Sequence, residues 1–82
     1  MGTIRRDRMQ RTWLKEIRTI KGLTHEQVAI ESQISRSHYT HIEQGNKTPS
    51  VEVAKRIGNT LGFDWVIFFE MERSYKEQKQ VI

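Results

Sequence analysis

The chain contains no cysteine. Disulfide staples and thiolate metal sites are therefore excluded, and the composition suits a reducing compartment. Proline occurs once, at Pro49, so little in the chain interrupts a helix. Strand signals are equally scarce: no useful run alternates β-branched with polar residues, and neither Asn-Gly nor Asp-Gly joins two such runs. The longest uninterrupted apolar stretch, Trp65 to Phe69, falls well short of the ~20 residues that a membrane span requires. The N-terminus lacks the apolar core of a secretory signal. These absences predict an all-α, soluble, cytoplasmic protein with no membrane association. A chain of 82 residues has room for one small domain with a modest core, which self-association would help to stabilise.

Positive charge is present in excess and is unevenly placed. The net charge is +4 and the isoelectric point about 9.8. Met1 to Gly22 carries seven Lys and Arg against two acids, Leu23 to Ser50 two against three, and Val51 to Ile82 five against five. The whole excess therefore lies in the first quarter, where Arg5, Arg6, Arg8 and Arg11 form an arginine-dense arm. At the N-terminal end of a helix these charges oppose the macrodipole. The arm is either a solvated tail or a phosphate-contacting one, a task for which the planar guanidinium is well suited.

Helix signals follow one another closely. Leu14, Ile17 and Ile20 recur at helical spacing up to Gly22, which predicts the end of a first helix. Thr24 and Gln27 have the spacing of a capping box, with Leu23 and Val28 as its staple. Ser35 caps a third helix, with Ile34 and Tyr39 at the staple positions. Pro49 or Ser50 opens a fourth, with Val51, Ala54, Ile57 and Leu61 on its apolar side, and Gly62 stops it. Asp64 caps a fifth, in which Phe63 staples to Phe68. The organisation is a basic arm or start of helix one over residues 1–12, a helical domain over 13–69, and a polar tail or helix extension over 70–82.

The stretch SRSHYTHIEQG, Ser35 to Gly45, is divided along its length. At ~100° per residue, Arg36, Ser37, Thr40, His41 and Gln44 share one arc, and Tyr39 and Ile42 fall opposite. Its polar face mixes a guanidinium, hydroxyls, an imidazole and an amide, where an ordinary solvated helix is laced with Glu and Lys. Two short helices joined by a tight turn, the second with such a face, form a helix-turn-helix arrangement.

The run LTHEQVAIESQISRSHYTHIEQGNKTPS closely resembles the core of the lambda-repressor-like, or Xre, family of bacterial and phage regulators. The resemblance extends from about Trp13 to Phe69. It includes Leu23-Thr24, Ala29, the Ser35-Arg36-Ser37 opening, the Ile42-Glu43-Gln44-Gly45 close and the Pro49-Ser50 restart. It implies a compact five-helix fold whose helices two and three are the helix-turn-helix, with helix three in the major groove of double-stranded DNA. By position, Arg36, Ser37, Thr40 and His41 are then base readers, Arg36 being the best placed for a bidentate contact to guanine. His25, His38, Gln44, Asn46 and Lys47, with Arg5 and Arg6 of the arm, are candidates for the DNA backbone. Arg18 and Glu43 match a family salt bridge between helices one and three. Three departures stand out: Gln33 where glycine is common, His38 where an aromatic is common, and Trp13 where a charge is common. Gln33 puts a side chain at a backbone position suited to a left-handed conformation.

The predicted function is a sequence-specific DNA-binding transcriptional regulator, most simply a homodimeric repressor reading a pseudo-palindromic operator. Trp65, Phe68 and Phe69 are more aromatic bulk than so small a core readily buries, and the excess predicts a dimer contact through helix five. Two other readings keep the fold: an antitoxin whose tail, Glu70 to Ile82, binds a toxin partner, and a controller protein of a restriction-modification system. His38 and His41 could share a metal, but no third ligand is evident. No nucleophile has a paired base, and no glycine-rich loop could hold a phosphate, so neither an enzyme nor a cofactor is expected.

Overall fold

The structure, a computed structural model, describes residues 10–70. Arg5 and Arg6 of the basic arm, and all of the polar tail after Glu70, lie outside them. Four helices are complete: α1 (Thr12–Ile20), α2 (His25–Ser32), α3 (Arg36–Glu43) and α4 (Val51–Leu61). A fifth, α5, begins at residues 67–70, and no strand occurs among the described residues.

Local chemistry accounts for nearly every boundary. The capping box of α2 is complete: the Gln27 amide donates to Thr24 Oγ1 at 3.1 Å, and the Thr24 amide donates to Gln27 Oε1 at 2.8 Å. Ser35 and Ser50 accept from His38 N and Val53 N at 3.0 and 3.2 Å, capping α3 and α4. Ser50, not Pro49, is therefore the N-cap of α4. Asp64 Oδ1 accepts from Val66 N at the approach to α5. At Gly62 the backbone turns left-handed, and the amides of Gly62 and Phe63 both return to the Gly58 carbonyl, which closes the end of α4.

The turn between α2 and α3 shows the consequence of the missing glycine. Gln33 is left-handed, with φ 62° and ψ 42°. Its amide and that of Ile34 close back on the Ile30 and Ala29 carbonyls, so the turn keeps its bonding despite the side chain. The left-handed region costs a residue with a Cβ about 1–2 kcal/mol. Glycine would avoid this while adding roughly 0.4–1 kcal/mol of unfolded-chain freedom. Gln33→Gly should therefore be stabilising, raising the melting temperature by roughly 3–6 °C. A lower melting temperature would assign the Gln33 side chain a contact of its own.

Leu14, Val28, Ala29, Tyr39, Ile42, Ala54, Ile57, Leu61 and Phe68 form the buried core, with α2 packed on α3 and α4 and α1 resting on α3. Trp13 joins it as an edge-on partner of Phe63 and Phe68, at centroid distances of 5.3 and 5.2 Å. Phe63 and Phe68 themselves meet at 5.6 Å, as the staple requires.

Four expectations are corrected. Ile20 is 83 % and Val51 49 % exposed, because the core stripe of α1 ends at Ile17 and α4 turns Val53, not Val51, inward. Phe68 is buried inside the protomer against Trp13 and Phe63, so it is unavailable to a partner surface. Arg11 leaves the arm and is buried: its Nη1 donates to the carbonyls of Ile42 and Lys47 at 2.6 and 3.0 Å, and its guanidinium lies 5.6 Å from the Phe68 ring centroid. A cation at the C-terminus of α3 favours the dipole, and one of its two acceptors, the Ile42 carbonyl, lies in the last turn of that helix.

Candidate nucleic-acid interface

The polar arc of α3 faces outward as its spacing predicts. Tyr39 and Ile42 are fully buried, Arg36 and Ser37 are exposed, and Thr40 and His41 are half-buried on the outer side. Beyond the helix, the chain folds Asn46 back toward it. Asn46 Nδ2 lies 3.4 Å from His41 Nδ1 and donates to Gln44 Oε1 at 3.3 Å. His41, Asn46 and Lys47 line one shallow groove with Gly45. His41 and three of the expected backbone-contacting residues, Gln44, Asn46 and Lys47, are thus gathered at the C-terminal end of α3. His38 is half-buried in the first turn of α3.

The inner side of α3 is fixed by one carboxylate. Arg18 donates to both oxygens of Glu43, Nε to Oε1 at 2.9 Å and Nη2 to Oε2 at 3.0 Å, and its Nη1 donates to the Leu23 carbonyl at 2.9 Å. The Tyr39 hydroxyl donates to Glu43 Oε1 at 2.7 Å. His25 Nε2 approaches Oε2 at 3.2 Å. Burial alone would raise the pKa of Glu43, but the hydrogen bonds from Arg18 and Tyr39 and the adjacent positive charge outweigh it and hold the group below the usual carboxylate range. Its hydrogen bond to Glu43 raises the pKa of Arg18. Burial, reinforced by Glu43, pushes the Tyr39 phenol up.

His25, a candidate for the DNA backbone, stands at the start of α2 against α3. Its Nδ1 lies 2.8 Å from Thr40 Oγ1, its Nε2 faces Glu43, and its ring stands edge-on to Tyr39 at 5.4 Å. Both ring nitrogens are directed at α3, so in this arrangement His25 couples the start of α2 to the polar face of α3. A polar cleft of about 290 Å³ opens beside it, lined in part by Lys15, Arg18, His25, Glu43 and Gln44. Among the described residues no three His, Asp or Glu side chains converge as a metal site would need, and no helix is long and apolar enough to cross a membrane.

Sequence reasoning identified the Arg18–Glu43 pair but missed the two further partners of Glu43. Tyr39 was within reach of inference, since residues four apart share a helix face. Nothing local signals His25 or Arg11, whose partners come from distant segments. Of the proposed dimer trio, Trp65 and Phe69 remain half-exposed, their rings 6.1 Å apart and edge-on, with Lys55 Nζ 5.3 Å from the Trp65 ring centroid.

Comparison with known proteins agrees with this geometry. A family model described as a helix-turn-helix domain matches residues 4–66. The chain is also similar to the uncharacterized HTH-type transcriptional regulator YqaF of Bacillus subtilis (strain 168), with 58 % identity over 62 residues, covering 76 % of this chain and 82 % of that protein.

Proposed function

This chain belongs to the helix-turn-helix family of DNA-binding regulators, and from that premise we propose that it is a homodimeric transcriptional repressor reading a pseudo-palindromic operator through α3. The observation that carries this reading is the division of α3. Its inner side is locked by Glu43, Tyr39 and Ile42, while Arg36, Ser37, Thr40 and His41 face outward with a mixture of donors and acceptors. Rigid backing and a varied polar front are what base reading in the major groove requires. Gln44, Asn46 and Lys47 then fix the helix against phosphates, and Arg5 and Arg6 add charge that makes binding salt-sensitive. Bound at a promoter, such a dimer represses by blocking polymerase.

The test begins with genomic fragments captured by the purified protein, from which a binding site is defined. Arg36→Ala should then weaken binding to that site by about 1–3 kcal/mol, with little change on scrambled DNA of the same length. Equal losses on both would make Arg36 a phosphate contact. For the dimer, Trp65 and Phe69 offer an aromatic surface at the start of α5, and two recognition helices about one DNA turn apart would read half-sites ~10 bp apart. Phe69→Glu should halve the solution mass while leaving the helical circular dichroism intact. An unchanged mass in the folded variant would move the interface elsewhere.

A further inference from the structure

His25 touches both the structural carboxylate and one of the proposed base readers, and chemistry links the two contacts. Glu43 accepts two bonds from Arg18 and one from the Tyr39 hydroxyl, which holds it ionised. An ionised carboxylate is an acceptor only. His25 Nε2, 3.2 Å from Glu43 Oε2, therefore carries a hydrogen. In the neutral imidazole the other nitrogen is then a bare acceptor. That nitrogen, Nδ1, lies 2.8 Å from Thr40 Oγ1. With the imidazole neutral, the hydrogen between them belongs to the hydroxyl, so Thr40 donates inward and keeps only lone pairs for the outside.

We propose that His25, its tautomer fixed by Glu43, makes Thr40 a hydrogen-bond acceptor on the outer face of α3, so that the base Thr40 reads carries an exocyclic amino group: adenine or cytosine. A threonine hydroxyl without such a partner rotates, donating to guanine O6 or N7 or to thymine O4 as readily as it accepts from adenine N6 or cytosine N4. His25 removes the donating option. It acts through Thr40 and touches no base, so it is a positioning residue whose effect is confined to one base pair of each half-site. The inference rests on the reading of α3 as the recognition helix.

Two measurements test it. The first uses the free wild-type protein: nitrogen-15 shifts of the His25 imidazole at neutral pH should show hydrogen on Nε2 and none on Nδ1. Hydrogen on Nδ1, whether in the reverse tautomer or in the imidazolium, overturns the proposal without reference to DNA. The second selects binding sites from random duplexes with the full chain and with Thr40→Val, Thr40→Ser and His25→Ala. One position per half-site should favour adenine or cytosine roughly two- to tenfold, the scale of a single hydrogen bond. Thr40→Ser should keep that preference and Thr40→Val lose it. His25→Ala should admit guanine or thymine there and leave the other positions unchanged. If wild type selects a site and folded His25→Ala keeps the same base at every position, or weakens all positions alike, the proposal falls while the recognition helix stands. If wild type selects no site, the reading of α3 fails and the proposal with it. Should His25→Ala not fold, the tautomer and the contrast between Thr40→Val and Thr40→Ser decide.

Discussion

Glu43→Ala is expected to destabilise the protein by about 3–5 kcal/mol, a large share of the total available to a domain of this size. The alanine strands the Arg18 guanidinium, whose side chain is only 13 % exposed, and leaves the buried Tyr39 hydroxyl without its acceptor. His25 Nε2 loses its partner at the same moment. Urea unfolding followed by circular dichroism measures the loss, and a change below about 1 kcal/mol would place this pair among the weak surface bridges. The same carboxylate governs the acid limb of stability. Its pKa is lowered in the folded protein, so between that value and the unfolded value of about 4.3 the unfolded chain binds a proton that the folded one does not. Stability from this group is complete above that window and declines as pH falls through it. Glu43→Gln should therefore lower stability at neutral pH and flatten its dependence on pH below about 5.

Arg11→Met should cost about 2–4 kcal/mol, because hydrogen bonds from a charged donor contribute about 1.5–3 kcal/mol each and the loss is partly offset once no charge has to be desolvated. Two such bonds, to the carbonyls of Ile42 and Lys47, would be lost, while the unbranched methionine retains packing against Phe68. The bond from the Arg11 amide to the Glu43 carbonyl is backbone and survives the substitution. Arg11→Lys should recover only part of the loss, because an ammonium has no rigid fork with which to serve two carbonyls. A neutral Arg11→Met would return this residue to the exposed arm.

What was legible in the sequence was chiefly what is local. Thr24 with Gln27, Ser35 and Ser50 declare helix starts because their side chains serve amides only three residues ahead. The polar arc of α3 was legible for the same reason, being a periodicity within a single helix. Arg11 was not, since its carbonyl partners lie 31 and 36 positions away and nothing beside it distinguishes it from Arg8. Ile20 and Val51 misled because an apolar residue at helical spacing need not meet a neighbour once the opposing element has ended. Phe68 and Phe69 are chemically alike and adjacent; the staple spacing to Phe63 points to Phe68, and the packing of Trp13 and Phe63 encloses it. Glu43 was found through the resemblance of its pair with Arg18 to the family pattern; its hold on α2 through His25 required three dimensions.

The lock behind α3 bears on how such a protein could acquire a new target. Arg36 and Ser37 are exposed and can be exchanged without disturbing Glu43, so on the proposed reading of α3 substitutions there retune sequence preference while the scaffold tolerates them. Thr40 is different: through His25 it is joined to the carboxylate on which α1, α2 and α3 converge. Variation at that position is therefore coupled to folding, and libraries intended to redirect binding would gain most diversity by randomising 36 and 37 freely while varying 25 and 40 as a linked pair.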